Sequence, residues 1–133
     1  MNLSLVAGTT SKSIGIFIGN SSVTTGAGLP GLAFDTASLI AYYFQPRITA
    51  DTVITLVTLA GPTAAWSSGG FVEIDATNMP GWYRLDIPNA ALASGRFVDI
   101  QLQGAANMAQ TPIEIELTAT NNQLALALGS AAI

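Results

Sequence analysis

Cysteine and histidine are both absent from this chain of 133 residues. Without cysteine, neither disulfide bonds nor thiolate chemistry can stabilise the fold or supply an activity. Without histidine, the chain lacks the side chain that most often transfers protons near neutral pH and most often binds metal ions. These absences exclude Ser–His–Asp sites, Cys–His sites and zinc sites, and we expect no enzymatic activity, no catalytic residue, no metal site and no cofactor.

Charged side chains are scarce, and basic ones are the scarcest. Four basic residues stand against eight acidic ones, which gives a formal net charge of −4. Nucleic-acid binding depends on clustered Lys and Arg that neutralise phosphates, so we expect no nucleic-acid partner. Charged residues make up only 9% of the chain, against about 25% in an average soluble domain. Such an exterior repels its copies weakly, which favours a surface covered by neighbouring proteins; a neutral, Ser- and Thr-rich β surface is the plainer interpretation.

Long hydrophobic runs are also lacking, although half of the residues are hydrophobic. Gly, Ser, Thr or Pro interrupts each apolar run far below the ~20 residues that cross a bilayer. The first eight residues lack the basic and long apolar regions of a secretory signal peptide. We therefore expect no membrane partner, and a protein that stays in the compartment where it is made.

What the chain does contain is a series of short segments in which apolar and polar residues alternate, as in half-buried β-strands. The segment 52–59 is apolar on both faces, which predicts a central strand or one whose outer face meets a partner. A turn is predicted at Pro80-Gly81 and one short helical turn at residues 88–95. Seven strands are predicted, at residues 13–19, 39–44, 52–59, 71–75, 82–87, 96–103 and 112–117.

Short strands with turns about every ten residues predict an all-β fold, a β-sandwich, with a closed barrel as the structural alternative. The length fits a single domain. We divide the chain into an N-terminal extension (residues 1–12), the sandwich (13–118) and an apolar C-terminal arm (119–133).

Few residues could bind a metal ion or a ligand. The carboxylate pairs Glu73/Asp75 and Glu114/Glu116 each share a strand face, and we interpret them as solvated rather than as calcium ligands, because a calcium site needs about six to eight oxygen atoms. Trp66 and Trp82 could stack on sugars, anchor a protein interface or cover the core.

The C-terminal arm is uncharged, and its leucines alternate with alanine. If the arm adds a strand to a neighbouring subunit, three leucines would contribute on the order of 5 kcal/mol on burial. Pairing with the chain's own sheet edge, or the start of a longer chain, explains the pattern equally well. The candidate partner-binding residues are the apolar side chains of both ends and the two tryptophans: Leu124, Leu126, Leu128, Ile133, Leu3, Leu5, Trp66 and Trp82.

Several segments together resemble a known family. They are residues 21–32, 37–43, 69–88, 104–109 and 113–117, and they are similar to an Ig-like domain of structural proteins of tailed phages and prophages. The pattern from Gly81 to Pro88, followed by an Ala-rich turn and Gly95, is also similar to the amino-terminal domain of upper baseplate proteins. The resemblance, which covers about residues 13–117, implies an Ig-like antiparallel β-sandwich of about seven strands with one short helical turn and extended termini.

The resemblance also implies a non-enzymatic component of the virion, assembled in the host cytoplasm. For a small Ig-like protein, it implies a capsid cement (decoration) protein that bridges capsid subunits. The expected partners are the major capsid protein and copies of the chain itself, in a homo-oligomer such as a trimer. A baseplate or tail-fibre attachment protein is the alternative, and a carbohydrate-binding module that uses Trp66 or Trp82 is the alternative of another class.

Overall fold

The computed structural model of the protein describes residues 1–119. This part of the chain forms a five-stranded sheet in the order β1-β8-β7-β3-β4 and a three-stranded sheet in the order β2-β6-β5. The predicted all-β sandwich is confirmed. Its elements are β1 (Asn2–Val6), β2 (Ser13–Phe17), β3 (Ile40–Phe44), β4 (Thr52–Val53), β5 (Phe71–Asp75), β6 (Met79–Asp86), α1 (Asn89–Leu92), β7 (Phe97–Gln103) and β8 (Thr111–Thr118).

The hydrophobic core lies between the two sheets and is built from the inward positions of the alternating strands. In the five-stranded sheet, β7 and β8 bury every second residue. In the three-stranded sheet, β2 and the C-terminal half of β6 supply the facing layer, in which Ile16, Tyr83 and Leu85 are fully buried. The period of two predicted from the sequence therefore separates core from exterior, because successive side chains of a strand point to opposite faces.

The first strand lies within residues 1–12, the segment that we set apart from the sequence as an N-terminal extension. In the structure, β1 pairs in parallel with β8, from Asn2 opposite Glu114 to Val6 opposite Thr118. Leu3 and Leu5 are half-buried and pack against the core. Because of this pair, the described part of the chain has eight strands and its larger sheet is not purely antiparallel.

Residues 52–59 do not form one continuous strand, so the alternative of a central strand is wrong. Only Thr52–Val53 pairs with β3, at the edge of the five-stranded sheet. The chain then crosses to the other sheet, where the Val57 amide donates to the Gly69 carbonyl at 3.0 Å and the Val57 carbonyl accepts from the Phe71 amide at 3.0 Å. The segment therefore contacts both sheets in succession, which explains why apolar residues occupy both of its faces.

The turn predicted at Pro80-Gly81 lies instead inside β6, and the chain reverses earlier, after Asp75. The Asp75 carboxylate accepts backbone hydrogen bonds from Thr77 at 2.9 Å and Asn78 at 3.0 Å. These bonds, first that from Asn78 and then that from Thr77, hold the pKa of Asp75 below its ordinary value. Gly81 has φ +90° and lies against Gly28 of the loop between β2 and β3, at a distance that leaves no room for a Cβ atom.

Candidate functional site

Two outward faces of the sandwich carry candidate functional groups, and the first is the outer face of the three-stranded sheet. Arg84 and Asp86 point outward from β6, and β2 places Ser13 opposite Asp86. Arg84 Nε donates to Asp86 Oδ1 at 2.8 Å and Arg84 Nη2 donates to Asp86 Oδ2 at 3.0 Å. Ser13 Oγ donates to Asp86 Oδ1 at 2.6 Å, and the Ser67 amide donates to Asp86 Oδ2 at 2.9 Å.

This ion pair is buried because the loop before β5 covers it. Arg84 Nη1 donates to the carbonyl oxygens of Pro62 at 2.9 Å and Ala64 at 2.7 Å. Burial alone would raise the pKa of Asp86, but the hydrogen bonds from Arg84, Ser13 and the Ser67 amide outweigh it and leave the pKa lowered. The charges are thus fully engaged in fastening the loop to the sheet.

Trp82 lies further along the same face and is partly open to solvent. Its indole is 37% exposed, and Phe17, opposite it on β2, is 41% exposed. The two rings are 5.7 Å apart at an interplanar angle of 59°. A Cβ atom on Gly15 would lie 3.8 Å from the indole, so the ring packs beside a strand position that has no side chain. Phe17 and Trp82 form an aromatic pair that a ligand could contact.

Trp66 lies in the loop that covers the ion pair and is half-buried. Its indole nitrogen is buried and has no hydrogen-bond partner among residues 1–119. A buried donor without an acceptor costs about 1–3 kcal/mol. The structure therefore places Trp66 and Trp82 in different surroundings, with only Trp82 offering an open ring.

The second candidate surface is the outer face of the five-stranded sheet. Apolar side chains project outward from β3 and β4, where solvent would ordinarily favour polar ones. Exposed fractions are 41% for Ile40, 43% for Phe44 and 56% for Val53. Tyr42 lies between Ile40 and Phe44 and is half-buried. Sequence reasoning did not single out these residues, although the signal was present, because β3 is apolar at both its inward and its outward positions.

A groove of about 690 Å³ runs over this face. Its apolar side is formed by β3, and its polar side is formed by β7, β8 and the N-terminus. Cross-strand pairing puts Asp99 beside Phe44 and Gln101 beside Tyr42. We call it the β3–β8 groove, lined by Met1, Asn2, Ile40, Tyr42, Tyr43, Phe44, Asp51, Asp99, Ile100, Gln101, Gln103, Pro112, Ile113 and Glu114.

Comparison with known protein families, curated proteins and solved structures finds no match. Function is therefore inferred from these two surfaces.

Within residues 1–119, the structure does not bring the candidate partner-binding residues together. Leu3 and Leu5 face the chain's own core from β1, and Trp82 lies on the opposite sheet. The residues of the C-terminal arm, Leu124, Leu126, Leu128 and Ile133, lie outside the described residues.

The interpretation of both carboxylate pairs as solvated is wrong for Glu73 and Asp75, which are half-buried, because Glu73 pairs with the inward-facing Tyr83 of β6. Glu73 accepts a hydrogen bond from the Gly31 amide at 3.1 Å, and Asp75 holds the turn described above. Glu114 and Glu116 are exposed on the outer face of β8. Over residues 1–119, no group of three or more His, Cys, Asp or Glu side chains is arranged to hold a metal ion. In the same range, no helix has the length and apolar character that spanning a bilayer requires.

Proposed function

We propose that this chain is a structural protein of a phage particle, specifically a capsid cement protein that binds the major capsid protein and bridges neighbouring subunits. The observation that carries the proposal is the solvent-exposed apolar face of β3 and β4. Contiguous exposed apolar surface on a soluble protein is typical of protein interaction sites. The resemblance to Ig-like domains of phage structural proteins is the reason for proposing that the chain is part of a phage particle.

The surface composition supports binding to proteins rather than chemistry. Aromatic residues are enriched in the cores of protein interfaces, where charged residues are depleted, and the β3 side of the groove presents Tyr42 and Phe44 beside Ile40. The ion pair of Arg84 and Asp86 has its donors and acceptors engaged within the fold. In a homo-oligomer, each contact of a cement protein can be modest, because linked contacts on neighbouring capsid subunits strengthen binding through multivalency.

The test is to purify particles assembled from the genome that encodes this chain, quantify the chain by mass spectrometry, and image the particles by cryo-electron microscopy. We expect many copies spread over the shell, with density for the five-stranded sheet against capsid subunits. A small number of copies confined to the tail would replace this role with that of a baseplate or tail-fibre attachment protein. Absence of the chain from purified particles would contradict a structural role in the virion.

A second candidate function, binding of a host carbohydrate at the virion surface, is favoured by the aromatic pair of Phe17 and Trp82. Open aromatic rings can stack on sugars, and Trp82 is the more exposed of the two tryptophans. For this function we expect specific binding on a glycan array that Trp82→Ala abolishes and Trp66→Phe retains. Because Trp82 is 37% exposed and its ring packs beside Phe17 and Gly15, Trp82→Ala should lower the thermal unfolding midpoint modestly, and circular dichroism checks that the variant stays folded. An array with no specific signal would exclude this candidate.

A further inference from the structure

The β3–β8 groove combines apolar and acidic character. Asp51, Asp99 and Glu114 line it, and no Lys or Arg is among the described residues that do. Over residues 1–119, the one salt bridge is that between Arg84 and Asp86, on the other sheet. Although Met1 also lines the groove, no carboxylate of the groove forms a salt bridge with Lys, Arg or the N-terminal ammonium within residues 1–119.

Strand register concentrates this negative charge at one point. Asp99 of β7 pairs directly with Glu114 of β8, and on its other side Asp99 pairs with Phe44 of β3. Directly opposed side chains on neighbouring strands have Cβ atoms about 4.5–5.5 Å apart, and like charges at such positions destabilise a sheet. A cation placed between Asp99 and Glu114 would convert this repulsion into attraction while its carbon chain contacts Phe44.

We propose that the β3–β8 groove binds an extended segment of a partner protein that carries arginine or lysine beside apolar residues. This inference rests on the proposed structural function, and it names the chemistry of the partner's contact. The cation lies between Asp99 and Glu114, and the aliphatic carbons of the segment pack on Ile40, Tyr42 and Phe44. Long basic side chains suit such a site, because their stems cover apolar surface while their charged ends reach polar groups.

Charge complementarity distinguishes this occupant from the two that the chain itself could supply. Residues 120–133 contain no charged side chain, so they offer nothing to neutralise the carboxylates. A second copy carries the same net charge of −4 and only four basic residues, of which Arg84 is buried in its ion pair. An acidic groove therefore favours a basic segment over a second acidic copy, although the repulsion between whole copies is weak. A basic segment of a different protein satisfies both the apolar and the acidic sides of the groove.

The experiment titrates the isotopically labelled chain with a short peptide that alternates arginine with leucine, followed by NMR chemical shifts. The matched peptide has glutamine in place of arginine. We expect the arginine peptide to shift the backbone amides of β3, β7 and β8 around the groove and to bind more weakly at high salt. We expect the double variant Asp99→Asn with Glu114→Gln to weaken its affinity by about tenfold or more.

A control variant separates the groove from net charge. Asp35→Asn with Glu116→Gln removes the same number of carboxylates, but neither residue lines the groove, and its affinity should stay within about twofold of the original. Both double variants should unfold at or above the original temperature, since each removes exposed negative charge. Equal binding of the two peptides, equal loss in both double variants, or shifts centred on Phe17 and Trp82 would overturn the proposal.

The same variants distinguish failure of this inference from failure of the proposed function. Binding to purified particles by the groove variant as strongly as by the original chain would refute the groove as the contact and leave the structural role standing. Selective arginine-peptide binding by a chain that is absent from particles would refute the structural role and leave the groove's specificity standing. Binding of a neutral glycan in the groove would replace the basic protein segment as its ligand.

Discussion

Replacing Asp86 with alanine is expected to lower the free energy of unfolding by about 3–5 kcal/mol, because it leaves a buried guanidinium without its counter-charge. The Asp86 side chain is fully buried and accepts four hydrogen bonds, two of them from Arg84. Its removal also frees the loop that Arg84 and the Ser67 amide fasten to the sheet. Urea titration monitored by circular dichroism measures this change.

Two comparisons show whether the lost charge is the cause. Asp35→Ala removes an exposed carboxylate and should change the unfolding free energy by less than about 0.5 kcal/mol. The double variant Arg84→Met with Asp86→Leu removes both charges and should be more stable than Asp86→Ala, because buried ion pairs can often be replaced by apolar residues of similar volume. If the double variant is no more stable than Asp86→Ala, the uncompensated charge is not the source of the loss.

The pH dependence gives an independent readout with a definite sign. The pKa of Asp86 in the folded protein is lowered from 3.8, so the folded state binds its proton less readily than the unfolded state does. The stability from Asp86 is therefore present above about pH 4 and is lost as the pH falls through the folded-state pKa. Asp86→Asn should show a shallower loss of stability in this acid range than the original chain.

The core-facing positions could be predicted from the sequence in strands that alternate cleanly and have one solvent-exposed face. Residues 97–103 and 111–118 alternate cleanly, so the side-chain period reports directly which positions enter the core. Residues 52–59 could not be assigned in this way, because local patterning does not show that a chain leaves one sheet edge and joins another. The parallel pairing of β1 with β8 spans more than a hundred residues of sequence, a contact that no local signal specifies.

The candidate site was harder to predict than the fold. Tryptophans and terminal leucines draw attention in a sequence because they are large and apolar, yet Leu3 and Leu5 serve the core. The groove depends on three strands that meet only in the folded sheet, so the adjacency of Phe44, Asp99 and Glu114 becomes visible only with the register. The apolar outward face of β3 was the one local clue.

Replacing Tyr83 with alanine is expected to lower the free energy of unfolding by about 3–5 kcal/mol, the usual range for deleting a buried aromatic ring. Tyr83 is fully buried, and its ring stacks on Phe71 with centroids 5.0 Å apart and planes 6° apart. Its hydroxyl donates to the Leu29 carbonyl at 2.6 Å and accepts from the Leu32 amide at 3.1 Å. One side chain thus stabilises the core and attaches the loop before β3.

Tyr83→Phe separates these two contributions, because it keeps the ring and removes the hydroxyl. We expect a loss of about 1–3 kcal/mol, since the Leu29 carbonyl and the Leu32 amide lose their partner, and faster amide hydrogen exchange at Leu32. If Tyr83→Phe is as unstable as Tyr83→Ala, the ring's packing is not the larger contribution.

Alkaline titration provides the decisive measurement for this residue. Burial raises the pKa of Tyr83 to about 12 from an ordinary value of 10.0. Because the unfolded chain releases this proton first, the original protein should lose stability as the pH rises from about 10 to about 12, by on the order of 2 kcal/mol. Tyr83→Phe has no such proton and should lack this part of the loss, whereas Tyr42→Phe, at a half-buried outward position, should retain it. Identical alkaline slopes in all three proteins would show that the hydroxyl is not held protonated by the fold.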